Sequence, residues 1–172
     1  MTADPPSRRP LLLDACVLID YLKTDRSILP LIARHVGPIH VASPVSDEVN
    51  EITREKDLAR LGLIVVEPEI EDALAAATER GSTSFQDRLC CLTARRFGFV
   101  CVTNDTRLRK RCQREGLPVL WGLQLIGELH ANGGISARRA ITFANRMHET
   151  NPWHLSEKIV QRFIKAIQDR QD

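Results

Sequence analysis

With 172 residues, 43% of them hydrophobic and 27% charged, the chain has the length of one domain, or of one domain with an extension, and an ordinary globular composition. The net charge of +2 neither demands nor excludes a nucleic-acid partner. No uninterrupted apolar run approaches the ~18 residues of a membrane span, and the opening MTADPPSRRP lacks the apolar core of a signal peptide, so a cytoplasmic protein with no membrane role is expected.

A polar, proline-containing stretch over residues 1–9 is expected to be flexible. Leu11–Leu13, Ile39–Val41, Leu63–Val66, Val100–Val102 and Val119–Trp121 are short apolar runs that suit buried parallel strands. Helical patterns separate them. Cys16–Lys23 starts directly after Asp14, and Ser27–Val36 stops at Gly37-Pro38. Ser43-Pro44 offers an N-cap and an N1 proline for a helix running to about Arg60. Glu69–Arg80, Ser84–Phe97 and Asn104–Glu115 follow, each stopped by a glycine. Strand and helix in alternation predict an α/β protein with a mainly parallel central sheet flanked by helices. Beyond Trp121 the pattern is helical only: Leu123–Ala131, Ser136–His148, and a last helix whose Leu155, Ile159, Phe163 and Ile167 recur every fourth residue. That stripe needs a partner surface, in this chain or another.

The five cysteines (Cys16, Cys90, Cys91, Cys101 and Cys112) are odd in number and without zinc-ligand spacing, so they read as buried free thiols in a reducing compartment.

Ligands of an open parallel sheet bind beyond the carboxyl ends of its strands, and acids fall there. Asp14 follows the first strand, Asp105 follows Val100–Val102, Asp87 lies in the first turn of the helix after Ser84, and Glu48 lies within SPVSDEV. Each has a plain structural explanation. Asp14 and Asp105 suit helix starts, Asp87 has capping-box spacing with Ser84, and Glu48 stands among solvated acids. As a set they say more. Carboxylates gathered at one edge repel and raise one another's pKa, and a hard divalent cation, Mg²⁺ or Mn²⁺, removes that cost. Such a site suits phosphoryl chemistry.

The blocks LLLDACVLIDYLK, VASPVSDEVNEI, SFQDRLCCLTARRFGFVCVTNDTRLRKRC and GLPVLW resemble, in order and spacing, those of PIN-domain nucleases, above all VapC-type toxins of toxin–antitoxin pairs. The resemblance implies a PIN-like domain over 10–125 with a helical C-terminal extension over 126–172. It also implies a Mg²⁺- or Mn²⁺-dependent endoribonuclease whose acidic quartet is Asp14, Glu48, Asp87 and Asp105. An RNA substrate, a cognate antitoxin and a homodimer are the partners implied. The family commonly carries Ser or Thr two residues after the first aspartate. Here that residue is Cys16, a weaker hydrogen-bonding group. Cys16, Thr103 and Asn104 are expected to support the acids or face the phosphate.

Downstream of Asp105, TRLRKRCQR reads either as a solvated helix face or as a backbone-binding patch of Arg107, Arg109, Lys110, Arg111 and Arg114, widened by Arg88, Arg95 and Arg96. Aromatic residues make up 5% of the chain, which gives little support for reading of bases by stacking. The histidines lie outside the acidic blocks and show no paired spacing. Two alternatives to the nuclease are a PIN-like binding module with weak or no catalysis, for which Cys16 speaks, and a haloacid-dehalogenase-type phosphatase. The phosphatase needs a second Asp at the position of Cys16.

Overall fold

The structure, a computed structural model, describes residues 8–50, 52 and 55–170. Five short strands form one all-parallel sheet: β1 (Leu11–Leu13), β2 (Ile39–Ala42), β3 (Leu63–Val66), β4 (Val100–Val102) and β5 (Val119–Leu120), in the order β3-β2-β1-β4-β5. The α/β architecture expected from the alternation of runs is the one observed. From β1 the chain first builds outward through β2 and β3, then returns to place β4 on the other side of β1. The gap between the carboxyl ends of β1 and β4 is thus the topological switch point, where ligands of such sheets bind.

Side-chain alternation divides the interior into two layers. Leu11 and Leu13 of β1, with Val100 and Val102 of β4, face the larger core. That core includes residues of α1 (Ala15–Asp25), α2 (Ile28–His35), α8 (Gly122–Ala131) and α9 (Ala137–Thr150). Leu12 and Cys101 face the smaller one, with α6 (Phe85–Phe97) and α7 (Thr106–Arg114). Cys90, Cys91, Cys101 and Cys112 all lie in this second layer as buried free thiols, and Cys16 is half-buried.

One helix expected in the sequence divides. In place of a run from Ser43 to Arg60 there are α3 (Ser43–Glu48) and α4 (Glu55–Leu61). Val49 adopts φ −86° and ψ 96° and is buried at 1% exposure, so burying this β-branched side chain ends α3. Ala42, not Ser43, occupies the N-cap, although Pro44 does sit in the first turn. The Ser43 hydroxyl instead donates to Glu67 Oε2 at 2.6 Å. Positions 51, 53 and 54 of the expected helix, and residues 1–7 of the expected flexible start, lie outside the described residues. Between β3 and α6 runs α5 (Ile70–Thr78).

The helical residues after β5 are not set apart from the sheet. Leu125, Ile126 and Leu129 of α8, and Ala140, Phe143, Ala144 and Met147 of α9, are buried in the same core as Leu11 and Leu13. Tyr21 of α1 packs edge-on against Phe143 at 5.5 Å and donates its hydroxyl to Gly122 O at 2.6 Å. The stripe of the last helix, α10 (Glu157–Gln168), finds its surface within the chain. Leu155 and Ile167 are buried and Phe163 approaches Gly127, while Ile159 is exposed.

Candidate active site

Asp14 stands at the switch point because β1 ends at Leu13, in register with Val102 of β4. It is also the N-cap of α1, accepting the Ala15 N–H at 2.7 Å through Oδ1. The capping role and the site role therefore coexist, through different oxygens. Oδ2 accepts from Thr103 Oγ1 at 2.9 Å and from Cys16 Sγ at 3.0 Å. All these donors are neutral, and only 8% of Asp14 is exposed. Burial raises its pKa above the ordinary carboxylate value, the three hydrogen bonds oppose that rise, and the negative charge of Asp87 adds to it. The result is a desolvated carboxylate whose charge suits a cation.

Thr103 joins this acid to the next. Its buried hydroxyl also accepts the backbone N–H of Asp105 at 3.0 Å, so one side chain spans Asp14 and the start of the following turn. Asp105 caps α7, its Oδ1 accepting from Arg107 N and Leu108 N at 2.7 and 2.8 Å. Asp87 closes the capping box at the head of α6: Ser84 Oγ accepts the Asp87 N–H, and Asp87 Oδ2 accepts the Ser84 N–H at 3.1 Å. Glu48, exposed at the end of α3, accepts from Gln86 Nε2 at 2.9 Å, which brings the end of α3 beside the first turn of α6. The structure thus ties Asp14 to the backbone of Asp105 through Thr103 and places Asp87 within electrostatic reach. Glu48 is brought to the same edge through the neighbour of Asp87.

Among the described residues, no three Asp, Glu, His or Cys side chains lie close enough together to hold a metal ion. The donor chemistry nonetheless fits Mg²⁺ or Mn²⁺. Mg²⁺ keeps several waters and is typically bound through one or two carboxylates together with substrate phosphate, not in an all-protein cage.

Cys16 lies between the first acid and the turn after β4. Its thiol donates to Asp14 and its sulfur accepts the Asn104 N–H at 3.4 Å. Burial and the adjacent Asp14 charge push its pKa up, which keeps it a protonated donor. The Asn104 amide faces another way. Its Nδ2 donates to Asp20 Oδ2 at 3.0 Å and its Oδ1 accepts the Gly122 N–H at 3.0 Å.

Asp20, Asn151, His154 and Trp121 were not foreseen as parts of this region. Asp20 is buried at 7% exposure, held by Asn104 and by Asn151 Nδ2 at 3.1 Å. With Cys16, Asp105 and His154 these residues line a hollow of about 170 Å³. One signal in the sequence was available for Asp20, since an aspartate on the buried face of an apolar helix demands a polar partner. Asn151 and His154 carried no such signal, because they lie 131 and 134 residues from Asp20 in the chain and arrive only through the packing of α9 on α1.

The basic segment is only partly available to a ligand. Arg111 is buried, with its guanidinium bound to both oxygens of Glu79 at 2.6 and 2.8 Å and to Glu115 at 3.0 Å. It ties α5 to α7 and does not present itself to RNA. Arg109 lies over the Trp121 ring at 4.4 Å. Arg88 donates to the carbonyls of Ala76 and Thr83, Arg95 pairs with Glu115, and Arg96 pairs with Asp72, so these three do not widen the patch as expected. Arg107, Lys110 and Arg114 are exposed and share one hollow of about 490 Å³.

Compared with known proteins, the chain matches no family model and no curated protein. No described helix is long and apolar enough to cross a membrane.

Proposed function

We propose that the protein is a divalent-metal-dependent endoribonuclease that hydrolyses RNA phosphodiester bonds, as the toxin of a toxin–antitoxin pair. The observation that carries this reading is the Asp14–Thr103–Asp105 bridge at the switch point. There a buried carboxylate is balanced by neutral donors while the negative charge of a further acid, Asp87, reaches it. Asp14 and Asp105, with Asp87 and Glu48 beside them, would hold Mg²⁺ or Mn²⁺. When bound, such an ion polarises a phosphate oxygen and makes water nucleophilic near neutral pH.

The chain's own groups prepare that edge. The Thr103 and Cys16 donors fix Asp14 in one orientation. Asp105 Oδ1 is committed to the α7 backbone, which fixes the direction of Oδ2. Arg107, Lys110 and Arg114, one to three turns along α7, supply cations for the RNA backbone, which set position without reading sequence.

Asp14→Asn and Asp105→Asn are each expected to abolish Mg²⁺- or Mn²⁺-dependent RNA cleavage and growth arrest while far-UV circular dichroism keeps the wild-type spectrum. Full activity in either folded variant sinks the assignment. A second reading, a PIN-like module that binds RNA or protein without cleaving, is favoured by the open arrangement of the acids. RNA cleavage by the purified protein, lost on chelation and restored by Mn²⁺, decides against it.

A further inference from the structure

The carboxyl edge of the sheet does not end at the acids. β5 lies next to β4, with Val102 opposite Leu120, and the Thr103 N–H donates to Leu120 O at 3.0 Å. Trp121, the next residue, therefore stands one strand beyond Thr103. Two strand spacings separate it from Asp14, roughly 10 Å across the sheet. There the structure opens a cleft of about 540 Å³ between the start of α8 and α10, lined by Trp121, Phe163, Gln124, Arg162 and His154. Asn104 and His154 line both this cleft and the hollow at Asp105, so the two form one continuous surface.

The lining is specific in kind. The Arg109 guanidinium covers one side of the Trp121 ring and holds the indole in place. Phe163 adds a second ring, Arg162 is an exposed cation, and His154 is exposed at the junction with the acids. The other tryptophan of the chain, Trp153, is 95% exposed on the same segment as Asn151 and His154. Trp121 and Phe163 thus bring two rings to one cleft, in a chain whose low aromatic content gave little reason to expect stacking.

We propose that this cleft is a base-binding subsite. It takes one unpaired nucleobase of a single-stranded substrate, next to the phosphodiester placed over Asp14 and Asp105. Its volume falls in the range of small-ligand sites. Aromatic rings with an adjacent cation are the chemistry by which proteins hold unstacked bases without requiring a particular one. A paired base, stacked within a duplex, cannot enter. The proposal rests on the nucleic-acid reading of the acidic edge and adds where one base is held: in the cleft between the start of α8 and α10.

The test uses the full chain in EDTA, so that binding is seen without cleavage. In a Trp153→Phe background Trp121 alone reports by fluorescence. A single-stranded eight-nucleotide RNA is titrated, then the same strand annealed to its complement, and then uridine 5′-monophosphate. The single strand and the mononucleotide are expected to quench Trp121 and the duplex is not. Phe163→Ala and Arg162→Ala, checked for wild-type melting, are expected to weaken single-strand binding ~5- to 100-fold, and Trp121→Phe to retain it.

Equal affinity for strand and duplex, or unchanged affinity in folded Phe163→Ala and Arg162→Ala proteins, overturns the subsite. If cleavage persists in those variants with unchanged KM, the nuclease reading stands and the subsite falls. If strands bind through Trp121 but Mn²⁺ elicits no cleavage, the subsite stands and the nuclease reading falls.

Discussion

Replacing Thr103 by valine keeps the shape of the side chain and deletes one hydroxyl that serves two partners. Thr103 is wholly buried. Its oxygen donates to Asp14 Oδ2 at 2.9 Å and accepts the Asp105 N–H at 3.0 Å. A hydrogen bond to a charged group contributes roughly 1.5–3 kcal/mol, and a buried donor left without a partner costs about 1–3 kcal/mol. Thr103→Val is therefore expected to lose about 3–5 kcal/mol at neutral pH. Thr103→Ser keeps the hydroxyl, loses one methyl group, and is expected to lose about 1 kcal/mol.

The pH dependence has a definite sign. Asp14 is raised above the ordinary value of 3.8, chiefly by burial, so the folded state holds its proton more tightly than the unfolded chain. Below about pH 4 the carboxyl is protonated in both states and burial carries no charge penalty. As pH rises from there through the folded pKa, the metal-free protein loses stability. The Thr103 bond restrains that rise in pKa, so removing it enlarges the loss. The gap between wild type and Thr103→Val should widen from pH 4 to pH 7.5, read by urea unfolding in EDTA. Equal midpoints for the valine and serine variants, or a gap that stays constant with pH, refutes the bridging role.

Cys16→Ser puts a stronger donor beside Asp14 Oδ2. It is expected to lower the Asp14 pKa and move the acid limb of the cleavage pH profile to lower pH; an unmoved limb means that Asp14 does not control it. Arg111→Ala breaks the buried link from α7 to Glu79 and Glu115 and is expected to cost about 2–3 kcal/mol. That is below the usual figure for a buried pair, because Glu79 is 40% exposed and water screens its share. Lys110→Ala should leave the melting temperature unchanged and weaken RNA binding in a salt-dependent manner, since it is exposed on the same helix. Gly122→Ala ought to stabilise a helix by up to about 1 kcal/mol, but its Cβ would meet Asn104 Oδ1 at 3.0 Å. Because Asn104 is tied to Asp20, the variant is expected to melt lower than wild type, and a higher melting temperature contradicts that tie.

Much of the fold was legible because strands buried on both faces leave continuous apolar runs. Leu11–Leu13, Leu63–Val66 and Val100–Val102 were bounded to the residue. The helix stops also read well, since Gly98 takes a positive φ of 69° that glycine favours at such ends. The division of the Ser43–Arg60 helix was not legible. Local spacing there is helical, and the extended Val49 is decided by what it packs against. The basic run was misleading for a related reason. Arginines in one stretch look alike in sequence, but Glu79, Asp72 and Glu115 arrive from other elements and bind Arg111, Arg96 and Arg95.

Taken alone, the chain of residues determines the class of fold and the position of Asp14, Asp87 and Asp105 at strand ends and helix heads, because burial periodicity and capping are local rules. Which of those acids meet is decided by strand order. The placement of β4 beside β1 lets Thr103 join Asp14 to Asp105. The same holds for the residues that no local rule foretells. Asn151 and His154 reach Asp20 only because α9 and α10 fold back onto α1 and α8, and Trp121 reaches the same edge only because β5 pairs with β4. A buried carboxylate takes whichever polar partner the packing brings within reach.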